Sequence, residues 1–174
     1  PPKKNPYLDY PGERAKPISD QIGIPSVLMT HLDVVNKNSI QNVPISKHKN
    51  NFPLIVFSHG LGGMRMQNTI QCEELASRGY VVVAMDHAFD AHATFFKDKT
   101  FADFRSGIEG KVTPQEFWEI RTPQLETRAA DISFVLDQIT NHKINGRNDF
   151  YQSIKTENVG VFGHSFGGAT AIMA

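Results

Sequence analysis

Three short runs of apolar, largely β-branched residues punctuate the chain: Leu54 to Ser58, Val81 to Met85 and Val159 to Phe162. Runs without polar alternation suit strands of a parallel sheet, which is covered on both faces. Between them apolar residues recur at helical spacing. A helix is predicted from about Gln67 to Arg78, with Ile70, Leu75 and Ala76 on its apolar side and Gly79 as its stop. Thr113-Pro114-Gln115-Glu116 reads as a capping box with proline at the first helical position. A second helical segment opens at Thr122-Pro123. In it Leu125, Ala129, Ile132, Leu136 and Ile139 form a stripe suited to packing on the sheet. Pro25 to Leu32 suggests a short helix carrying Val27, Leu28 and Leu32. The proline- and charge-rich residues 1–20 read as an irregular lead-in, and the polar stretch 36–52 as a loop. The order predicts an α/β fold: one domain with a mostly parallel central sheet flanked by helices.

Two of the strands end in glycine-rich turns, and these carry the candidate chemistry. After Val159 to Phe162 comes Gly163-His164-Ser165-Phe166-Gly167-Gly168, then small and helix-forming residues to Ala174. A Gly-x-Ser-x-Gly pentapeptide between a strand and a helix is the pattern of a nucleophile elbow, in which the serine hydroxyl projects from a sharp turn. Glycines two residues to either side permit the tight backbone. The helix that follows aims N–H groups and the positive end of its dipole at a nearby oxyanion. About 100 residues upstream, Pro53-Leu54-Ile55-Val56-Phe57-Ser58 ends in His59-Gly60-Leu61-Gly62-Gly63. A tetrahedral intermediate of acyl transfer needs about two preorganised N–H donors. One is the residue after the nucleophile, here Phe166; the other comes from the His-Gly loop, where Leu61 is the natural candidate.

On these residues the chain resembles the platelet-activating-factor acetylhydrolase family of α/β-hydrolases, the lipoprotein-associated type and its bacterial relatives. The similarity rests on Phe57-Ser58-His59-Gly60-Leu61-Gly62, on Val81-Val82-Val83-Ala84-Met85-Asp86-His87, and on Gly163-His164-Ser165-Phe166-Gly167-Gly168-Ala169-Thr170, and it spans roughly residues 50–174. It implies the α/β-hydrolase fold and a calcium-independent serine esterase that releases short or oxidised acyl chains from the sn-2 position of phospholipids. It implies Ser165 as nucleophile, Leu61 and Phe166 as oxyanion donors, no cofactor or metal, peripheral contact with lipid aggregates, and secretion or a periplasmic location. The family completes its triad with an Asp and a His that follow the serine. None of the seven histidines here follows Ser165. The expectation is therefore a segment of a longer hydrolase, or one chain of a cleaved one, whose remaining residues supply Asp, His and further strands beside Val159 to Phe162. Losing a triad member lowers the rate by about 10⁴ to 10⁶.

Composition changes this picture little. Hydrophobic residues make up 40% and charged residues 21%, as in ordinary globular domains. Eighteen basic residues balance eighteen acidic ones, which argues against nucleic acid as a partner. No run approaches the ~20 apolar residues of a membrane span. The single cysteine, Cys72, falls on the predicted helix with Ile70 and Leu75 and reads as a core thiol.

The stretch from His87 to Val112 follows a strand's carboxyl end, where α/β folds place ligands. It concentrates Phe89, Phe95, Phe96, Phe101 and Phe104, so residues 87–121 form a candidate lid or pocket insertion, with a loop that merely packs down as the alternative. His87, Asp90 and His92 have metal-ligand chemistry at short spacing, but they equally suit shaping a pocket. Other readings are a general carboxylesterase, a cutinase-like or polyesterase-like hydrolase, or a non-catalytic binding module of the same fold.

Overall fold

A computed structural model describes residues 7–29, 35, 37–47, 51–98, 100–105, 107–146 and 148–174. Strand β1 (Phe52–Ser58) lies between β2 (Val81–Met85) and β5 (Ile154–Gly163), and both pairings are parallel. The register puts Ser58 level with Met85 on one side and with Gly163 on the other. The three strands thus end together, and the chain segments leaving them emerge side by side at one edge of the sheet. In open α/β sheets that carboxyl edge is where ligands bind.

Helix α2 (Thr69–Ser77) connects β1 to β2, and the 31-residue α3 (Pro114–Ile144) with the short α4 (Asp149–Gln152) leads into β5. Ile139 of α3 packs with Phe52, Leu54, Val81 and Ile154 in the core under the sheet. A satellite cluster of Leu8, Ile18, Met29 and Met66 seats the N-terminal segment against the loop before α2. Helix α5 (Phe166–Met173) follows β5.

The structure departs from the sequence reading in several places. Residues Pro11–Ile22, expected to be irregular, form helix α1, which continues through Pro17. Proline at its first turn is favourable. The break at Pro17 is offset by what α1 buries: Arg14 is fully enclosed, its Nε bonded to Asp9 and its Nη1 to the Ala93 carbonyl. Likewise Pro123 does not start a new helix, because α3 runs unbroken across it from the capping box at Thr113. An interior proline costs about 3 kcal/mol. Here the buried face of Arg121, Leu125, Arg128, Ile132 and Ile139 keeps both halves on one axis. Of the helix expected at Pro25 to Leu32, residues 26–29 form a single 3₁₀ turn, and residues 30–34 lie outside the described set.

Strand β2 matches its expected bounds, yet only Val81 is buried, since among the described residues it is an outer strand. Helix α2 buries none of its side chains; Ile70 is 81% exposed and Cys72 only half-buried, so the core-thiol expectation fails. Burial still raises the Cys72 thiol above its ordinary value, with Glu73 adding to it. The described residues of the 87–112 insertion centre on a hairpin, β3 (Ala93–Phe95) with β4 (Phe101–Asp103), against which Tyr10, Phe95 and Phe101 stack in sequence.

Candidate active site

Ser165 sits between the last residue of β5 and the first turn of α5 with φ 53° and ψ −117°, a conformation a non-glycine residue adopts only at a cost of about 1–3 kcal/mol. Close packing enforces it. A Cβ on Gly163 would stand 2.1 Å from the Gly167 carbonyl oxygen, and one on Gly167 would stand 2.0 Å from that of Ser58. Neither position can hold any residue but glycine. The turn is closed by Gly167 N–H on His164 O (2.8 Å) and Gly168 N–H on Ser165 O (2.9 Å). It is tied to β1 by His164 N–H on Ser58 O (3.2 Å). Ser165 is left exposed at the edge of the sheet.

The loop after β1 comes up against it. A Cβ on Gly60 would crowd His164, at 3.0 Å from Nδ1 and 3.3 Å from its carbonyl oxygen, and would just touch Ser165 Cβ at 3.4 Å, so the loop backbone stands about one methyl group from the serine. The Gly60 carbonyl accepts from Gly63 N–H (2.9 Å) and from His59 Nδ1 (2.6 Å). In a trans peptide the next N–H points the opposite way. The Leu61 N–H is thereby turned out of the loop. Among the described residues neither Leu61 nor Phe166 donates a backbone hydrogen bond. The structure thus brings together at one edge the three residues singled out in the sequence: Leu61, Ser165 and Phe166.

What holds this loop is a buried polar layer. His87 N–H donates to His59 Nε2 (3.0 Å), which leaves the ring proton on Nδ1 for the Gly60 carbonyl. Burial lowers the His59 pKa from 6.5 to about 3, so the ring is neutral. Further along, Gly62 N–H bonds to Asp90 O (2.8 Å), His92 N–H to Gly63 O (2.9 Å), and Arg65 N–H to Asp86 Oδ1 (2.6 Å). Gln67 supplies Oε1 to Gly60 N–H (3.2 Å), and its amide nitrogen lies 3.0 Å from Nδ1 of His164, the exposed histidine of the elbow.

Beneath lies a constellation that the sequence did not suggest. Ser58 Oγ is 3.0 Å from His87 Nε2, and His87 Nδ1 is 2.8 Å from Asp131 Oδ2. The connectivity is that of a Ser-His-Asp triad. However, Ser58 is fully buried, and its oxygen also accepts from Arg128 Nη2 at 3.1 Å. This arrangement ties β1 to α3 and the start of the insertion. Burial lowers the His87 pKa, with the Asp131 hydrogen bond opposing it. Both ring nitrogens of His87 are engaged, and those of His92 face Arg14 and the Gly63 carbonyl. Hence His87, Asp90 and His92 do not converge; among the described residues no three His, Cys, Asp or Glu side chains gather as metal ligands. The signal for Arg128 was present in the sequence: it falls between Leu125 and Ile132 on the apolar stripe of α3.

The family model for platelet-activating factor acetylhydrolase, isoform II, matches residues 13–174. Platelet-activating factor acetylhydrolase of Canis lupus familiaris is 34% identical over 141 residues, 71% of this chain, and that of Gallus gallus is 33% identical over 145 residues, 70% of this chain. The chain spans about a third of the length of these curated relatives, 32% and 34% respectively. A solved structure, ferulic acid esterase from Streptomyces cinnamoneus, superposes with a TM-score of 0.67 at 28% identity, covering 99% of this chain and 43% of that one. The likeness to this esterase, with its parallel sheet flanked by helices, places the architecture in the α/β-hydrolase class. The chain belongs to the platelet-activating factor acetylhydrolase isoform II family.

Proposed function

We propose that these residues form the nucleophile and oxyanion half of a serine esterase acting on short or oxidised acyl esters, with sn-2 phospholipids as the substrate class. The observation that carries this reading is the close approach of the Gly60 backbone to Ser165, with the Leu61 and Phe166 N–H groups unengaged beside an exposed serine. Ser165 Oγ attacks the ester carbonyl carbon and gives its proton to a histidine base supplied by the remainder of the protein. The carbonyl oxygen gains the electron pair and is held by the N–H groups of Leu61 and Phe166. Collapse expels the alcohol as it takes that proton, leaving the acyl group on Ser165; water, deprotonated by the same base, then releases the acid. Family membership supports the phospholipid substrate class.

The β3–β4 hairpin is the proposed pocket wall. Phe101 is 57% exposed and Phe96 is exposed beside it, so the hairpin offers an apolar surface to lipid aggregates. A second reading, a general carboxylesterase, is favoured by the structural likeness to a ferulic acid esterase.

Hydrolysis by the full-length protein in EDTA, with Ser165→Ala as blank, separates these readings. The substrates are a phospholipid with a short sn-2 acyl chain and a p-nitrophenyl ester of the same acid. A preference for the phospholipid that the variant loses supports the acetylhydrolase. Activity on the soluble ester alone points to the carboxylesterase. Silence on both, from folded protein, rejects catalysis at Ser165.

A further inference from the structure

A buried arginine on an apolar stripe demands an explanation. Arg128 is 1% exposed, flanked along α3 by the buried Leu125 and Ile132. Stability alone does not account for it, because well-packed apolar side chains commonly do as well as buried charges or better. Its charge is only partly met: Asp90 Oδ2 stands 3.6 Å from Nη1, and Nε and Nη1 have no hydrogen-bond partner. Burial lowers its pKa to about 10, with Asp90 and Asp131 opposing, so it remains a cation at neutral pH. What the guanidinium does meet is specific. Nη2 donates to the His59 carbonyl, at the root of the Gly60–Leu61 turn, and to Ser58 Oγ. The guanidinium carbon lies 5.0 Å from the centre of the Phe166 ring.

We infer that Arg128 is a positioning residue for the oxyanion hole: one planar cation clamps the loop that carries the Leu61 N–H and the ring of the residue that carries the Phe166 N–H. The inference rests on the serine-esterase reading above. The two donors come from segments about 100 residues apart, and the glycines that let them approach cannot fix their separation. Arg128 touches both. A lysine ammonium could donate to both acceptors from its one nitrogen, as Nη2 does, but it has no flat face to lie against Phe166.

The test uses the full-length protein and three variants. Arg128→Met keeps length and removes the donors, Arg128→Lys keeps the charge, and Ile139→Ala, in the core at the far end of α3, serves as a destabilised control. Kinetics on the p-nitrophenyl ester are read with thermal unfolding and with binding of a trifluoromethyl ketone, which adds to the serine as a tetrahedral oxyanion. For Arg128→Met the expected result is a kcat lower by about 10²-fold, the scale of losing one oxyanion donor, with KM changed less than about threefold. Ketone affinity should fall in parallel with kcat/KM. Arg128→Lys should be intermediate, and if Arg128→Met does not fold, a loss of about tenfold in kcat in the lysine variant at unchanged KM carries the same meaning. Ile139→Ala should lower the unfolding temperature and spare both kcat and ketone affinity. Near-wild-type kcat and ketone binding in a folded Arg128 variant overturns the inference, as does an equal kinetic loss in Ile139→Ala. Fluorophosphonate labelling separates the two levels. Wild type that does not label at Ser165 overturns the esterase reading and this inference with it, whereas labelled wild type with unaffected Arg128 variants overturns only the inference.

Discussion

The two turns that meet at Ser165 are built by opposite means. The elbow is held by its own backbone: Gly163 and Gly167 interlock with each other and with Ser58 so tightly that a methyl group cannot enter. The loop after β1 is held by side chains from elsewhere, with His59 and Gln67 acting locally while Arg128, Asp86 and the backbone of Asp90 and His92 reach in from other elements. A strained serine needs a frame that cannot relax, and a glycine-only fit provides it within five residues. The Leu61 N–H, proposed above as an oxyanion donor, needs a long-range reference to keep its distance from that serine, which local sequence cannot supply. Damage to the elbow should therefore be all-or-none, and damage to the loop graded.

The largest effect expected is chemical. Ser165→Ala should lower ester hydrolysis by the full-length protein by about 10⁴ to 10⁶ while leaving the unfolding temperature near that of wild type, since the serine side chain is exposed and the elbow is held by its backbone. Residual activity above a hundredth would place the nucleophile elsewhere.

Gly167→Ala comes next. Its Cβ would fall 2.0 Å from the Ser58 carbonyl, so the elbow must leave β1 or the protein must unfold. The expected outcome is loss of at least several kcal/mol of stability together with activity, more than the 1–3 kcal/mol of ordinary overpacking, because the contact is with backbone. A soluble variant with wild-type kinetics and unfolding temperature would break the contrast between the two turns.

The loop should show itself through pH. His59, His87 and His92 are all lowered below the ordinary 6.5, chiefly by burial, and His59 to about 3. Between those values the unfolded chain binds protons that the folded chain refuses. Stability from this layer is thus complete above about pH 6.5 and falls as pH drops below it, for His59 down to about pH 3 at up to about 1.4 kcal/mol per pH unit, with His87 and His92 adding in the same direction. Thermal unfolding from pH 7.5 to 5 at fixed ionic strength should show a steady fall in unfolding temperature; a flat profile would show that the imidazoles are not held neutral.

The smallest effect belongs to the hairpin. Phe101→Ser should raise KM for vesicle-presented phospholipid by about three- to tenfold, the scale of partly burying a phenyl ring, and leave the soluble ester untouched. Equal changes on both substrates would make the hairpin a packing element rather than a lipid-facing wall.

Which parts were legible in advance follows from the same contrast. The three strands, the capping box at Thr113 and the Gly-x-Ser-x-Gly turn are short-range patterns, and each falls where the sequence reading places it. The misreadings share another cause. Pro17 and Pro123 signalled breaks, but α1 and α3 continue because buried faces on Arg14 and on Arg121 to Ile139 outweigh a missing hydrogen bond. Cys72 and Ile70 kept a helical apolar spacing without being buried, since spacing defines a face and not what covers it.

The sequence alone thus settled the elbow and the class of the fold, because glycine conformational freedom and strand patterning act over a few residues. Only the tertiary structure decided that the guanidinium of Arg128, a buried Ser58-His87-Asp131 relay and a neutral His59 stand behind the loop. Those groups are brought together by burial and charge across tens of residues, and no local pattern encodes that distance.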